Sequence, residues 1–421
     1  MSDSTITASP PASDWPALAR GLPVWTGHQP RFWHPGILAK YVAADRAMTA
    51  AGDTTTPLNH VVVDQDVQDP FALNVPVRRG DALTAVTLKL GPIRIDVPTG
   101  RQPAVEVRDP QLPDGTDPRA AAGVQRIVHA LREAEDAPTL ARQVTAALET
   151  LLAPHLARPL RHHFATDLQW RNDFKQATHN LLHDAQRSIH HYNRAAAHDP
   201  GAGIASLHRD PHLVELPLWH VPLNAPRQRV YADLADTKPL LTVEDGTPLD
   251  PAADLAPRAL LMTALLRRRN DCGLFIHGTG GGGYDQITER WWQAWRNEAL
   301  APLAVATADR RLHFDAPVHT PADHQRAVWH AHHLPHNPDR VLGLTGPRVD
   351  EKHRLLARMH DDRDKPRRRA AFQRLKAINA ELCTQNAPAI RDAAASVQRT
   401  RRGVTNAAIA RRRDWPFPFY G

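Results

Sequence analysis

The chain has 421 residues, 42% of them hydrophobic and 23% charged, a net charge of +7 and two cysteines. That is enough apolar chain for one large domain or two smaller ones. Cys272 and Cys383 are too few for a disulfide framework, which points to a reducing cytosol, and no apolar run nears the roughly 20 residues that span a bilayer.

The charge is uneven. Residues 351–413 carry seventeen Lys and Arg against six Asp and Glu, and the rest of the chain is net acidic. A basic segment can meet nucleic acid or acidic partners, but here it reads first as the solvated face of helices. The opening MSDSTITASPPASDW has no basic region followed by an apolar core, so it does not read as a secretory signal. Residues 1–20 are expected to be a disordered lead-in.

Residues 22–34 read as a short strand and a loop, and Pro35-Gly36 open a helix that ends near Gly52. The β-branched run at 60–64, HVVVD, is the next strand. Strand, helix, strand predicts a βαβ unit and a parallel sheet, so 21–110 is expected to be the first half of a Rossmann-like core. Alternating runs over 75–108 suit hairpins. After the break DPQLPDGTDP, residues 111–200 read as a helical insertion, with apolar residues at helical spacing through 119–152 and 158–198.

Strand character returns at 213, and 201–345 is expected to complete the same parallel sheet. Asp245-Gly246 suits a hairpin turn. LAPRALLMTALLRRR reads as an amphipathic helix and GLFIH as a buried strand that Cys272 precedes. HGTGGGGYD then reads as a glycine-rich loop before a helix starting near Asp285, with Trp291, Trp292 and Trp295 as core. LAVATA is a further strand. Residues 346–421 predict a hairpin of long helices, broken near Pro366 and Pro388, and a tail.

Three stretches could carry chemistry. The first is the run from His277 through Gly278, Thr279, Gly280, Gly281, Gly282, Gly283 and Tyr284. Bare backbone between a strand and a helix can present N–H groups to an anion, or serve only as a tight turn. It is not a P-loop, and its match to the dinucleotide fingerprint is weak. The second is TGHQPRFWHPG, in which Thr26, Gly27, His28, Gln29 and His34 sit beyond a strand end, where ligands bind in open α/β sheets. The third is VVVDQDVQD, whose Asp64 and Asp66 could orient an amine, act as a base or hold Mg²⁺. The cluster His330, His332, His333 and His336 has no companion ligand at a recognised spacing and reads as compositional.

In this order, the three stretches resemble the cysteine-adding enzyme family of bacillithiol synthesis (BshC). The family typically carries T-G-Q-Q-P, where this chain has Thr26-Gly27-His28-Gln29-Pro30. It has a D-H-D-like strand end, here Asp64-Gln65-Asp66, and a loop G-G-P-G-E-x-A-Y, here ending at Tyr284. The closing RRDWPFPFYG is also similar. The chain departs from the family at Gln65, at Gly281 where the family has Glu, and at the helix Lys, which would fall near Val42 with Lys40 two positions away. The resemblance implies a nucleotidyltransferase-like core with a helical insertion and a dimer-forming antiparallel coiled coil. It implies a ligase that joins cysteine to a small anionic amino-sugar acceptor; separately, no metal site is expected. His28, His34, Asp64 and Asp66 would be the catalytic residues, and Thr26, Gly27, Gln29 and 277–284 would bind substrate. A nucleotide, ATP or ADP, is the candidate cofactor. A nucleotidyltransferase with another substrate and a non-catalytic basic coiled-coil binding protein are the alternatives.

Overall fold

The computed structural model describes residues 10–250 and 252–421. In chain order the helices and strands are α1 (Trp15–Leu18), β1 (Val24–His28), α2 (Pro35–Ala50), β2 (Leu58–Val62), β3 (Ala72–Arg79), β4 (Ala82–Lys89), α3 (Pro118–Arg132), α4 (Leu140–Leu152), β5 (Leu160–Phe164), α5 (Asn172–His183) and α6 (Ala185–His198). There follow β6 (Leu213–His220), β7 (Gln228–Asp233), β8 (Leu240–Val243), β9 (Leu255–Pro257), α7 (Ala259–Leu266), β10 (Leu274–His277), α8 (Thr279–Arg296) and β11 (Leu303–Val305). The chain ends with α9 (Pro321–His333), α10 (Pro338–Leu342), α11 (Pro347–Asp361), α12 (Lys365–Gln385) and α13 (Ala387–Ala410).

The protein is α/β, built on a five-stranded all-parallel sheet in the order β11-β10-β1-β2-β5, consistent with a Rossmann-like core. Strand alternation divides the apolar residues between its two faces. Val24, Leu58, Leu274 and Ile276 pack with Tyr41, Ala44 and Met48 of α2. Trp25, Val61 and Phe275 pack with Ile287, Trp291 and Trp295 of α8.

β1 runs through α2 to β2 on one side, and β10 runs through α8 to β11 on the other. The order therefore reverses between the adjacent strands β1 and β10. A crevice opens there, at the carboxyl ends of the strands.

The structure corrects several expectations. Residues 213–257 do not join the parallel sheet: β8-β7-β6-β9 form their own antiparallel sheet, whereas β3-β4 is the hairpin expected after the βαβ unit. The stretch expected to be wholly helical, 119–198, supplies the edge strand β5. Of the lead-in expected over 1–20, residues 1–9 lie outside the described residues, whereas 12–18 form a short helical stretch, and Trp15 packs on the core. Helix α7 is not amphipathic: seven of its eight residues, Leu260–Leu266, are buried.

The C-terminal helices form two antiparallel legs, and the outgoing leg starts at Pro321 rather than near 350. His324 meets Thr400, Pro335 O accepts from Asn379, and Glu351 takes Arg374 at 2.7 Å. Beyond α13 the tail returns to the core, where Trp415 and Phe419 are fully buried and Phe417 N donates to Trp33 O at 2.6 Å.

Candidate functional site

The crevice between β1 and β10 holds a cavity of about 430 Å³. From β1 and its loop come Gly27, His28, Gln29 and His34. From α2 come Gly36 and Lys40, one helical turn apart. Asp66 follows β2, and Met262 and Thr263 project from α7. His277, Gly278, Thr279, Gly280, Gly281 and Tyr284 close the far side, and the tail brings Arg413 to the rim.

The glycine run is not a loop. Gly278 is the N-cap of α8, and Thr279–Gly283 are already its first turns. The N–H groups of Thr279 and Gly280 have no acceptor within the helix, as at any helix start, and they face the cavity end of the dipole. A Cβ at Gly278 or Gly280 would meet only open space. At Gly281 a Cβ would lie 1.7 Å from His277 Nδ1, so that glycine lets the imidazole lie across the helix. Gly282 and Gly283 do not line the cavity: a Cβ on Gly282 would stand 2.9 Å from Val305, and one on Gly283 3.8 Å from Ala202.

Two buried ionisable residues belong to the site: Lys40 in the cavity lining, and Asp285 behind His277. Lys40 is 1% exposed and donates to Gly27 O. Burial lowers its pKa to about 7, opposed by the charge of Asp285. Asp285, fully buried on α8 one turn after Gly281, is raised by burial to about 7, with Arg267 opposing. Neither of its oxygens has a hydrogen-bond partner among the described residues, and Oδ2 lies 3.7 Å from His277 Nε2. Tyr284 hydroxyl is 3.3 Å from the same nitrogen. Burial and the nearby Lys40 hold both His28 and His277 well below the ordinary histidine pKa, so both are neutral. A neutral imidazole, an amine and a carboxyl that both titrate near 7, and two free backbone N–H groups can bind an anion and exchange a proton with it.

The residues expected from sequence have distinct placements. Gln29 lines the cavity and donates to Asp66 at 3.2 Å, and Asp66 accepts from Arg227 at 2.7 Å. His34 lines the cavity and caps α2 by accepting from Gly36 N at 3.0 Å. Thr26 is buried beneath the cavity, and its hydroxyl is unpartnered. Asp64 is not brought to the cavity. It accepts from Thr166 N at 2.9 Å and Thr166 Oγ1 at 2.6 Å, latching β2 to the end of β5. Gln65 is buried and donates to Pro257 O at 3.1 Å.

Sequence reasoning did not assign Lys40, Asp285 or Arg413 to the site, although it noted Lys40 two positions from where the resembled family has its helix Lys. Spacing offered a signal for the first two: each lies four residues after a glycine that lines the site, on the same helix face.

No family model matches this chain, and no curated protein matches it. Among the described residues no three His, Cys, Asp or Glu side chains come together as a metal set, and no helix is long and apolar enough to cross a membrane.

Proposed function

We propose that the protein is a cytoplasmic carbon–nitrogen ligase of the bacillithiol type. It joins the carboxyl of an amino acid, cysteine in the family it resembles, to the amine of a small anionic amino-sugar acceptor. The observation that carries the reading is convergence: the Gly27–Gly36 loop, Asp66, His277–Gly281 and Tyr284 meet at one cavity, with Lys40 in its lining and Asp285 behind His277. These are the stretches on which the resemblance rests. In this reading the fold is nucleotidyltransferase-like, and the two-legged helical segment is a coiled coil through which two copies pair.

The chemistry assigns roles. An amine attacks only as its free base, so the acceptor must shed a proton. His277, with Asp285 behind it, is placed to take that proton. Thr279 and Gly280 N–H, with Arg413, hold the acceptor's carboxylates. Gln29 and Asp66 orient the amino acid. Amide formation removes one water between carboxyl and amine, and a nucleoside triphosphate is the activating co-substrate this reading names.

Incubation with cysteine and glucosaminyl malate, with and without ATP, followed by mass spectrometry, tests the proposal. An amide product is expected, lost in Lys40→Met and Asp285→Asn. Pyrophosphate release without amide would instead support nucleotidyl transfer. Tight binding of nucleic acid with neither product would favour the basic helices as the functional surface.

A further inference from the structure

Among the described residues Asp66 is the only carboxylate lining the cavity, and both of its oxygens are engaged. Oδ2 accepts from Gln29 Nε2 at 3.2 Å, and Oδ1 accepts from Arg227 Nη1 at 2.7 Å. The same Nη1 donates to Gln65 O at 2.9 Å, so Arg227 is tied to the carboxylate and to the backbone before it. Arg227 comes from outside the parallel sheet, one residue before β7. Its guanidinium lies 4.2 Å from the ring centre of Trp219 on β6. Arg258, the residue after β9, lies 4.7 Å from the same ring, and the buried Glu215 accepts from its Nη1 at 2.6 Å. The antiparallel sheet thus carries Arg227 to the crevice on a packed indole.

These contacts set the polarity of Gln29. A carboxylate paired with a guanidinium only accepts, so the amide must turn Nε2 to Asp66, and Oε1 becomes its free end. Gln29 lines the cavity, and its Oε1 takes no hydrogen bond from the described residues. An amide that donates to an anion is polarised and accepts more strongly at its oxygen. Elsewhere the cavity lining offers donors: Lys40, Arg413 and the first N–H groups of α8. A ligand that carries a cation at one end and an anion at the other matches this division.

We propose that Gln29 Oε1 is the subsite for the ammonium group of an amino acid, and that Arg227 is a positioning residue that holds Asp66 so that the Gln29 amide keeps this orientation. The inference rests on the reading that the cavity takes an amino acid, and it names the end of that substrate which this wall recognises. In that reading the amino acid reacts through its carboxyl, so its own amine is free to stay protonated. Held as an ammonium it cannot attack, which leaves the acceptor's amine as the nucleophile. Without Arg227, the carboxylate of Asp66, already 33% exposed, turns to water, and the amide is free to face either way.

Calorimetry on the full-length protein with L-cysteine and with 3-mercaptopropionate, which lacks the amine, tests this. The wild type should bind cysteine about 10- to 100-fold more tightly, the worth of a charged hydrogen bond. In Gln29→Met, cysteine should fall to the affinity of the analogue, while the analogue's own affinity holds. Arg227→Met should lose the preference in the same way. Arg227→Lys should keep it, because one ammonium can make both bonds that Nη1 makes. A packing role alone would weaken both ligands together and leave their ratio unmoved. The same ratio in wild type and Gln29→Met, or a full preference in Arg227→Met, overturns the proposal. Should Arg227→Met fail to fold, Asp66→Asn also frees the amide to turn and must also lose the preference; a full preference there refutes it equally. A wild type that binds no cysteine overturns the amino-acid half of the ligase reading and this proposal with it, whereas cysteine binding at an unmoved ratio overturns this proposal alone.

Discussion

The sharpest contrast the site offers is between two neighbouring glycines. Gly281→Ala places a Cβ 1.7 Å from His277 Nδ1, a contact no relaxation of α8 alone can absorb, so the imidazole must leave its position. Alanine gains about 1 kcal/mol over glycine within a helix. Forcing a packed ring aside costs about 1–3 kcal/mol. The net expectation is a protein destabilised by up to about 2 kcal/mol, with His277 displaced from Tyr284 and Asp285. Gly280→Ala meets open space, so the same propensity acts without a clash, and stability should hold or rise by no more than about 1 kcal/mol. Yet Gly280 lines the cavity, and its methyl would stand where an anion approaches the helix start. Urea unfolding gives the stability difference, and calorimetry with malate or inorganic phosphate gives the affinity. Gly281→Ala should lose stability, and Gly280→Ala should lose affinity alone. If Gly281→Ala is as stable as wild type, the account of that glycine is wrong. If Gly280→Ala binds both anions normally, the helix start is not the anion site.

Further expectations follow from the buried charges and the scaffold. Between pH 4 and 7 the folded state holds a proton on Asp285 that the unfolded chain has released, so this group's contribution to stability falls as pH rises; between 7 and 10.5 the unfolded chain holds a proton that folded Lys40 has released, so that contribution recovers. Urea midpoints should therefore dip near pH 7, and Lys40→Met should remove the rise above 7. Asp64→Ala leaves Thr166 with two unpaired donors and should cost about 1–3 kcal/mol for each without altering ligand affinity once refolded, as urea unfolding and calorimetry would report. Arg413→Gln should weaken malate binding by calorimetry and leave the melting temperature in place, because its side chain only rims the cavity. Leu356→Glu with Phe372→Glu, at exposed apolar positions on the helical legs, should turn a dimer into a monomer in sedimentation; a wild-type monomer would remove the pairing role altogether.

The parallel sheet was legible because HVVVD and GLFIH are short, β-branched or apolar, and punctuated by turns. β5 was not: LRHHF carries Arg161 and two histidines within a helical stretch, and only the sheet context makes it a strand. The glycines misled for a related reason. Poor helix propensity argues for a loop, but the first turn of α8 tolerates glycine, and His277 requires it at 281. The cavity's loops were found from residue type, since His, Gln and Gly crowd the ends of β1 and β10. Asp285 escaped, and Lys40 was noted only for its nearness to the family's helix Lys, because each sits in ordinary helical sequence. What sets them apart is burial without a close ion-pair partner, which composition does not display. Asp64 illustrates the opposite error, a carboxylate at a strand end whose oxygens are spent on Thr166.

The central claim is that a small anionic amino-sugar acceptor sits over Lys40. Glucosaminyl malate at saturation should protect Lys40 from acetic anhydride while surface lysines label as before. Calorimetric binding of the acceptor with Lys40 still fully labelled would place the ligand elsewhere and contradict the account, as would no binding at all.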